Sequence, residues 1–161
     1  MSFIRLEQVE KSFGKTNVLR GLNLTIEGKE LVAIRGASGS GKSTLLYLLG
    51  GLDHPTSGKV IIDNKNLTSL NDDELAHFRN SNVGFVFQFH FLLPSMTCRD
   101  NIFLPARIGG KNMKQVEKDV EEMAKILGVT HCLSKFPYEI SGGEQQRINI
   151  IRALSLRPKI L

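Results

Sequence analysis

Apolar and polar positions alternate from Ile4 and Leu6 to Val9, and again at Leu22, Leu24 and Ile26, which predicts two half-buried strands. Glu27-Gly28-Lys29 between them and the next run reads as a turn. Leu31 to Ile34 is apolar at every position, the pattern of a strand buried on both faces of a parallel sheet. A glycine-rich loop follows, and Lys42 to Leu49 reads as a helix. Gly58 to Asp63 predicts another strand with a turn at Asn64. Asn71, with Glu74 three residues later, predicts a capping box opening a helix to about Arg79. Val83 to Phe87 is strand-like. Val116, Val120, Met123, Ala124 and Leu127 recur at helical spacing, with Gly128 as a natural stop. A last helix starts near Gly143 and stops before Pro158, since the residue before a proline avoids the helical region. Strands alternating with helices predict an α/β fold with a mainly parallel sheet, and the span of about 89–150 reads as a mostly helical inserted subdomain.

Length and charge change this picture little. The 161 residues suit one domain with a real core. No run approaches the ~20 apolar residues that cross a bilayer, and the N-terminus has neither the basic nor the apolar region of a signal peptide. The formal charge of +5 is spread along the chain without a block of like charges, so no nucleic-acid footprint is read from it. Cys98 and Cys132 lie in no metal-type spacing, and a reduced, cytosolic compartment is the simple reading.

The chemistry starts at Gly36-Ala37-Ser38-Gly39-Ser40-Gly41-Lys42-Ser43, which matches G-x-x-x-x-G-K-[ST] after a predicted strand and before a predicted helix. Glycines let the backbone curl until successive N–H groups face phosphate oxygens, and the helix adds its partly positive N-terminus. Lys42 is placed to reach the β- and γ-phosphates and the Ser43 hydroxyl to ligate Mg²⁺; Thr44 offers a further hydroxyl. A flexible Gly/Ser junction is the bland alternative, and the loop by itself does not separate a kinase from a GTPase or a transport ATPase.

Roughly a hundred residues on, Ile140-Ser141-Gly142-Gly143-Glu144-Gln145-Gln146-Arg147 is a second small-residue loop opening a second helix. Alone it reads as an N-cap serine with two turn glycines. Together with the first loop it resembles the LSGGQ signature of ABC ATPases, with Ile140 for Leu and Glu144 for the usual Gln. Phe13 stands where that family places the aromatic residue that stacks on adenine, and Gln88 where it places the glutamine that touches Mg²⁺ and the attacking water. Leu49-Gly50-Gly51-Leu52-Asp53 and Phe87-Gln88-Phe89-His90-Phe91-Leu92-Leu93-Pro94 are similar to the subfamily of lipoprotein release and macrolide export.

The resemblance covers essentially the whole chain and implies a P-loop NTPase core and N-terminal β subdomain to about residue 88, a helical subdomain over about 89–150, and a return toward the core over 151–161. It implies ATP and Mg²⁺ as ligands, held by Phe13, Gly36, Ala37, Ser38, Gly39, Ser40, Gly41, Lys42, Ser43, Thr44 and Gln88. Ser43 and Gln88 would bind the metal, and Lys42 and Gln88 would serve catalysis. Ser141, Gly142, Gly143 and Glu144 would act in trans in a head-to-tail homodimer. About Phe89–Pro105 would face the integral membrane permease, placing the protein at the inner face of the plasma membrane. His90 is then a packed residue or permease contact, not a metal ligand. The family's acidic strand, its general-base glutamate and its switch histidine are not found. Pro158-Lys159-Ile160-Leu161 is similar to the start of that strand, so the chain is expected to be an incomplete, hydrolysis-deficient cassette; His131 lies upstream of the signature and cannot be the switch residue. Two other classes stay open: a non-transport relative acting on nucleic acid or ribosomes, and a nucleotide-binding fragment without turnover. The heptads and charged linker typical of the former are not seen.

Overall fold

A computed structural model describes residues 2–161; Met1, part of the N-terminal stretch read above, lies outside the described residues. The chain forms two compact units, one up to Ala76 and the other His77–Leu161.

In the first unit β1 (Ser2–Phe13) and β2 (Thr16–Glu27) make a long hairpin, with Phe13 opposite Thr16 across a two-residue turn. Gly14 takes φ 58 there, the left-handed conformation that glycine tolerates best. β3 (Ser57–Ile62) pairs antiparallel with the other edge of β1, and the short β4 (Lys65–Asn66) follows, giving the order β2-β1-β3-β4. Ile4, Leu6 and Val9 of β1, Ile26 of β2 and Val60 and Ile62 of β3 are buried, as the alternation predicts. Helix α1 (Lys42–Leu49) buries Leu48 and Leu49. Helix α2 (Asp72–Asn82) starts at the predicted capping box: Glu74 N donates to Asn71 Oδ1 at 2.9 Å, and Asn71 N donates to Glu74 Oε2 at 3.0 Å. It runs a turn beyond Arg79.

The mainly parallel sheet is not formed. Every ladder is antiparallel, and parallel pairing among the described residues is confined to an isolated bridge between Val83 and Ile160. The two runs expected to supply parallel strands are irregular. Leu31 is 103% exposed and Val32 is exposed as well. An all-apolar strand depends on neighbours on both edges and cover on both faces, and no described strand pairs with 31–34. In the hairpin, by contrast, each strand finds its partner two residues away.

The second unit is helical. Helices α3 (Cys98–Ile108), α4 (Met113–Ile126) and α5 (Gly142–Leu154) pack around a core that includes Ile102 and Phe103 of α3, Val116 and Val120 of α4, and Ile148 and Ile151 of α5. α4 carries the predicted periodic positions from Val116 to Ala124, Leu127 is its C-cap, and Gly128 follows at φ 67, a left-handed stop. No described helix is long and apolar enough to cross a membrane.

Candidate functional site

The glycine loop opens α1 without any side-chain cap. Gly41 is the N-cap at φ 89 and ψ 8, and no acidic residue sits in the first turn. Leu45 N donates to Gly41 O at 2.9 Å, so the amides of 42–44 precede the first α-helical rung and have no intrahelical acceptor. With the helix dipole this end is a strong anion site. Gly41 is required twice over. Its φ is left-handed, and a Cβ there would lie 3.0 Å from Val18 Cγ1 and 3.1 Å from Leu19 Cδ2 of β2.

Lys42 Nζ donates to the carbonyl oxygens of Gly36 at 2.9 Å and Ala37 at 2.6 Å, so the ammonium is folded back over its own loop. Carbonyls are weaker partners for an ammonium than phosphate oxygens are. Ser40 N closes the loop onto Ala37 O at 3.3 Å. Gly36 to Ser40 and Ser43 are exposed, and Thr44 is half-buried. The unpaired amides, the uncapped N-terminus, Lys42 and the Ser43 hydroxyl fit a triphosphate with its magnesium: the amides and Lys42 would hold phosphate oxygens, and Ser43 would ligate the metal. Phe13 ends β1 and is 53% exposed, with Lys11 Nζ lying over its ring 4.9 Å from the centroid. Asp53, after α1, is tied up: its Oδ1 accepts from Lys11 Nζ at 2.7 Å and from His54 N at 2.7 Å.

The second glycine loop belongs to the other unit and is closed on itself. Ser141 caps α5, accepting from Glu144 N at 3.4 Å, while Glu144 Oε2 accepts from Ser141 N at 2.8 Å and Ser141 Oγ at 2.7 Å. Glu144 Oε1 lies 2.8 Å from His131 Nε2 and 3.4 Å from Cys132 Sγ. The Ser141 hydroxyl and amide, then His131 and Cys132, hold the Glu144 carboxyl down to about 2. Burial, seconded by the Glu144 carboxylate, pushes the Cys132 thiol up to about 11. Ser141, Gly142 and Gly143 are exposed.

Gln88 is exposed in the irregular segment after Val83. Beyond it the chain is held from inside by residues that sequence reasoning missed. Asn101, fully buried on α3, accepts from Leu93 N at 2.7 Å and donates to the carbonyls of Leu93, Met96 and Thr97. Arg152 of α5 donates to His90 O at 2.7 Å and Phe91 O at 2.8 Å, and burial lowers its pKa from the usual value. These anchors leave Phe89 70% and Phe91 63% exposed, with the rings edge to face. A lone polar residue at helical spacing among apolar ones was the available signal for both.

A glycine loop with an uncapped helix and a lysine over it, joined to a helical unit with a second serine–glycine loop, defines a nucleotide-binding cassette. Residues 19–161 match the protein family described as ABC transporter, and the chain belongs to that family. It is 42% identical over 158 residues to the lipoprotein-releasing system ATP-binding protein LolD of Cytophaga hutchinsonii, covering 98% of this chain and 72% of that protein. Identity to the protein of the same name from Aquifex aeolicus is 46% over 158 residues, covering 98% and 70%. Among solved structures, the dimeric bacterial ABC transporter cassette MJ0796 superposes with a TM-score of 0.86 at 39% identity, covering 96% of this chain and 70% of that one. A dimeric post-hydrolysis state of the same cassette, bound to ADP and Pi, gives a TM-score of 0.85 at 38% identity.

Proposed function

We propose that this chain is the ATP- and Mg²⁺-binding, energy-coupling subunit of an ABC transporter of the lipoprotein-release type. The observation that carries the reading is the uncapped start of α1 with Lys42 folded over it. Lys42 exchanges two carbonyls for β- and γ-phosphate oxygens, the amides of 42–44 orient the same group, and Phe13 offers its face to the adenine. Bound magnesium would supply charge neutralisation on the phosphates, with the Ser43 hydroxyl as its ligand on the loop and Gln88 as the further ligand that the family resemblance implies. Substituting Lys42→Ala removes the cation, together with its bonds to the carbonyls of Gly36 and Ala37, and does not touch Phe13. Titration with a fluorescent ATP analogue should show affinity lower by about tenfold or more, the size of one lost charge-assisted contact. Equal affinities would sink the assignment.

A second copy of the chain is the partner this reading requires, and the dimeric cassettes it resembles support that arrangement. Ser141, Gly142, Gly143 and Glu144 then face the nucleotide of the other copy. The segment Phe89–Pro105 is the contact with the permease at the inner face of the membrane, since its exposed aromatics are held on a buried polar scaffold instead of on a loose loop. ATP hydrolysis is the family's activity. In the 161-residue polypeptide neither Asp53 nor Glu144 is free to polarise water, because each carboxylate is already engaged. The resemblance assigns the general-base role to none of these 161 residues, so turnover of this polypeptide, followed by phosphate release, is expected about 10²–10⁴-fold below that of a lipoprotein-releasing relative, the usual contribution of a general base.

A further inference from the structure

We propose that His131, Cys132 and Glu144 form a binding site for a divalent cation of the zinc class. The 3₁₀ turn Thr130–Cys132 and the first turn of α5 bring the three side chains together across 13 residues of sequence. Their donor atoms lie within 4.8 Å of one another: His131 Nε2 to Glu144 Oε1 2.8 Å, Cys132 Sγ to His131 Nε2 3.4 Å, and Cys132 Sγ to Glu144 Oε1 3.4 Å. Tetrahedral zinc, with bonds of 2.0–2.3 Å, holds neighbouring N, S and O ligands about 3.4–3.6 Å apart. Both distances from the sulfur already match. Only the imidazole–carboxylate pair must open, by roughly 0.6 Å, and His131 is exposed enough to turn.

The outer shell is also in place. Glu144 presents Oε1 to the site because Oε2 is fixed by Ser141 N and Oγ, the kind of second partner that orients a metal-bound carboxylate. Cys132 is buried and forms the floor, while His131 faces solvent, so a water can take the fourth position. A mixed N, S, O set selects zinc-like cations over magnesium and calcium, which take oxygen ligands. When the Sγ–metal bond forms, the thiol proton leaves to solvent. The bound cation would join the turn after α4 to the serine loop of α5, independently of whether the first loop binds ATP.

Tag-free, chelator-stripped protein titrated with Co²⁺ should show one site with a thiolate-to-cobalt charge-transfer band, which equimolar Zn²⁺ abolishes. Cys132→Ser should remove the band, whereas Cys98→Ala, buried in the same core but outside the triad, should keep it. His131→Ala, a surface change that leaves the core alone, should weaken Co²⁺ by more than the roughly 10–100-fold that losing an outer-shell partner costs. No band in the parent protein, a band that survives Cys132→Ser or follows Cys98, or unchanged affinity in His131→Ala would each overturn the site.

Discussion

Two helices of this protein begin at glycine-bearing loops, and they begin in opposite ways. At α1 the N-cap is a left-handed glycine, no side chain caps the amides, and the nearest charge is the positive Lys42. At α5 the N-cap is a serine, and Glu144 closes a capping box on it with a carboxylate held down to about 2. The first start leaves its anion-binding capacity for a ligand. The second has already filled it from within. A phosphate approaching Ser141 must compete with Glu144 Oε2, which holds both the amide and the hydroxyl of that serine. On the proposed function, this difference assigns primary nucleotide affinity to the first loop and leaves the second to respond when a stronger acceptor arrives.

The largest expected effect on this contrast comes from giving the first loop an ordinary residue. Gly41→Ala forces a side chain into the left-handed region and against Val18 and Leu19. Strain and crowding of this kind cost about 1–3 kcal/mol each. The urea midpoint should fall accordingly, and nucleotide affinity should fall with it as the amides of 42–44 turn away. A variant of parental stability and affinity would mean that the loop does not depend on its glycine N-cap.

Next in size is Ser141→Ala, which removes the cap of α5. Loss of an N-cap hydroxyl typically costs about 1 kcal/mol. Binding of an ATP analogue to the isolated chain should not change, because in the proposed arrangement Ser141 meets only the nucleotide of a second copy. A fall in affinity as large as that of Lys42→Ala would erase the distinction between them.

This contrast was only half legible in the sequence. The motif at 36–43 announces its helix, and α1 spans Lys42–Leu49 as expected. The Asn71–Glu74 box and the Gly128 stop were equally local, set by residues within one turn of each other. Leu31–Ile34 and Val83–Phe87 were misread because a continuous apolar run has no period of its own: it becomes a strand only if neighbours pair with it. α3 went unnoticed as a separate helix since Pro105 and the buried Asn101 interrupt its apolar pattern. His131, Cys132 and Glu144 have no metal-type spacing at all, and only the fold brings them within reach of one another.

The smallest effect is the sharpest test of what the second loop's charge contributes. Glu144→Gln restores the residue usual in the signature it resembles. The amide keeps one carbonyl oxygen, which can still accept from Ser141 N, and its NH₂ can face His131 Nε2 and Cys132 Sγ. Packing is therefore preserved. What disappears is the negative charge at the start of α5, together with the charge-assisted strength of the bond from Ser141 Oγ. The thermal midpoint, measured in chelating buffer, should drop in the same direction as Ser141→Ala but by less. Since a surface charge at a helix end is screened by salt, the gap between parent and variant should narrow as salt is raised. The hydroxyl of Ser141, released from a full carboxylate, should then be freer to turn outward. A loss greater than that of Ser141→Ala, or a gap indifferent to salt, would show that Glu144 acts as more than a cap. The two loops would then differ in the bridge between α5 and the 130–132 turn, and not in how their helices begin.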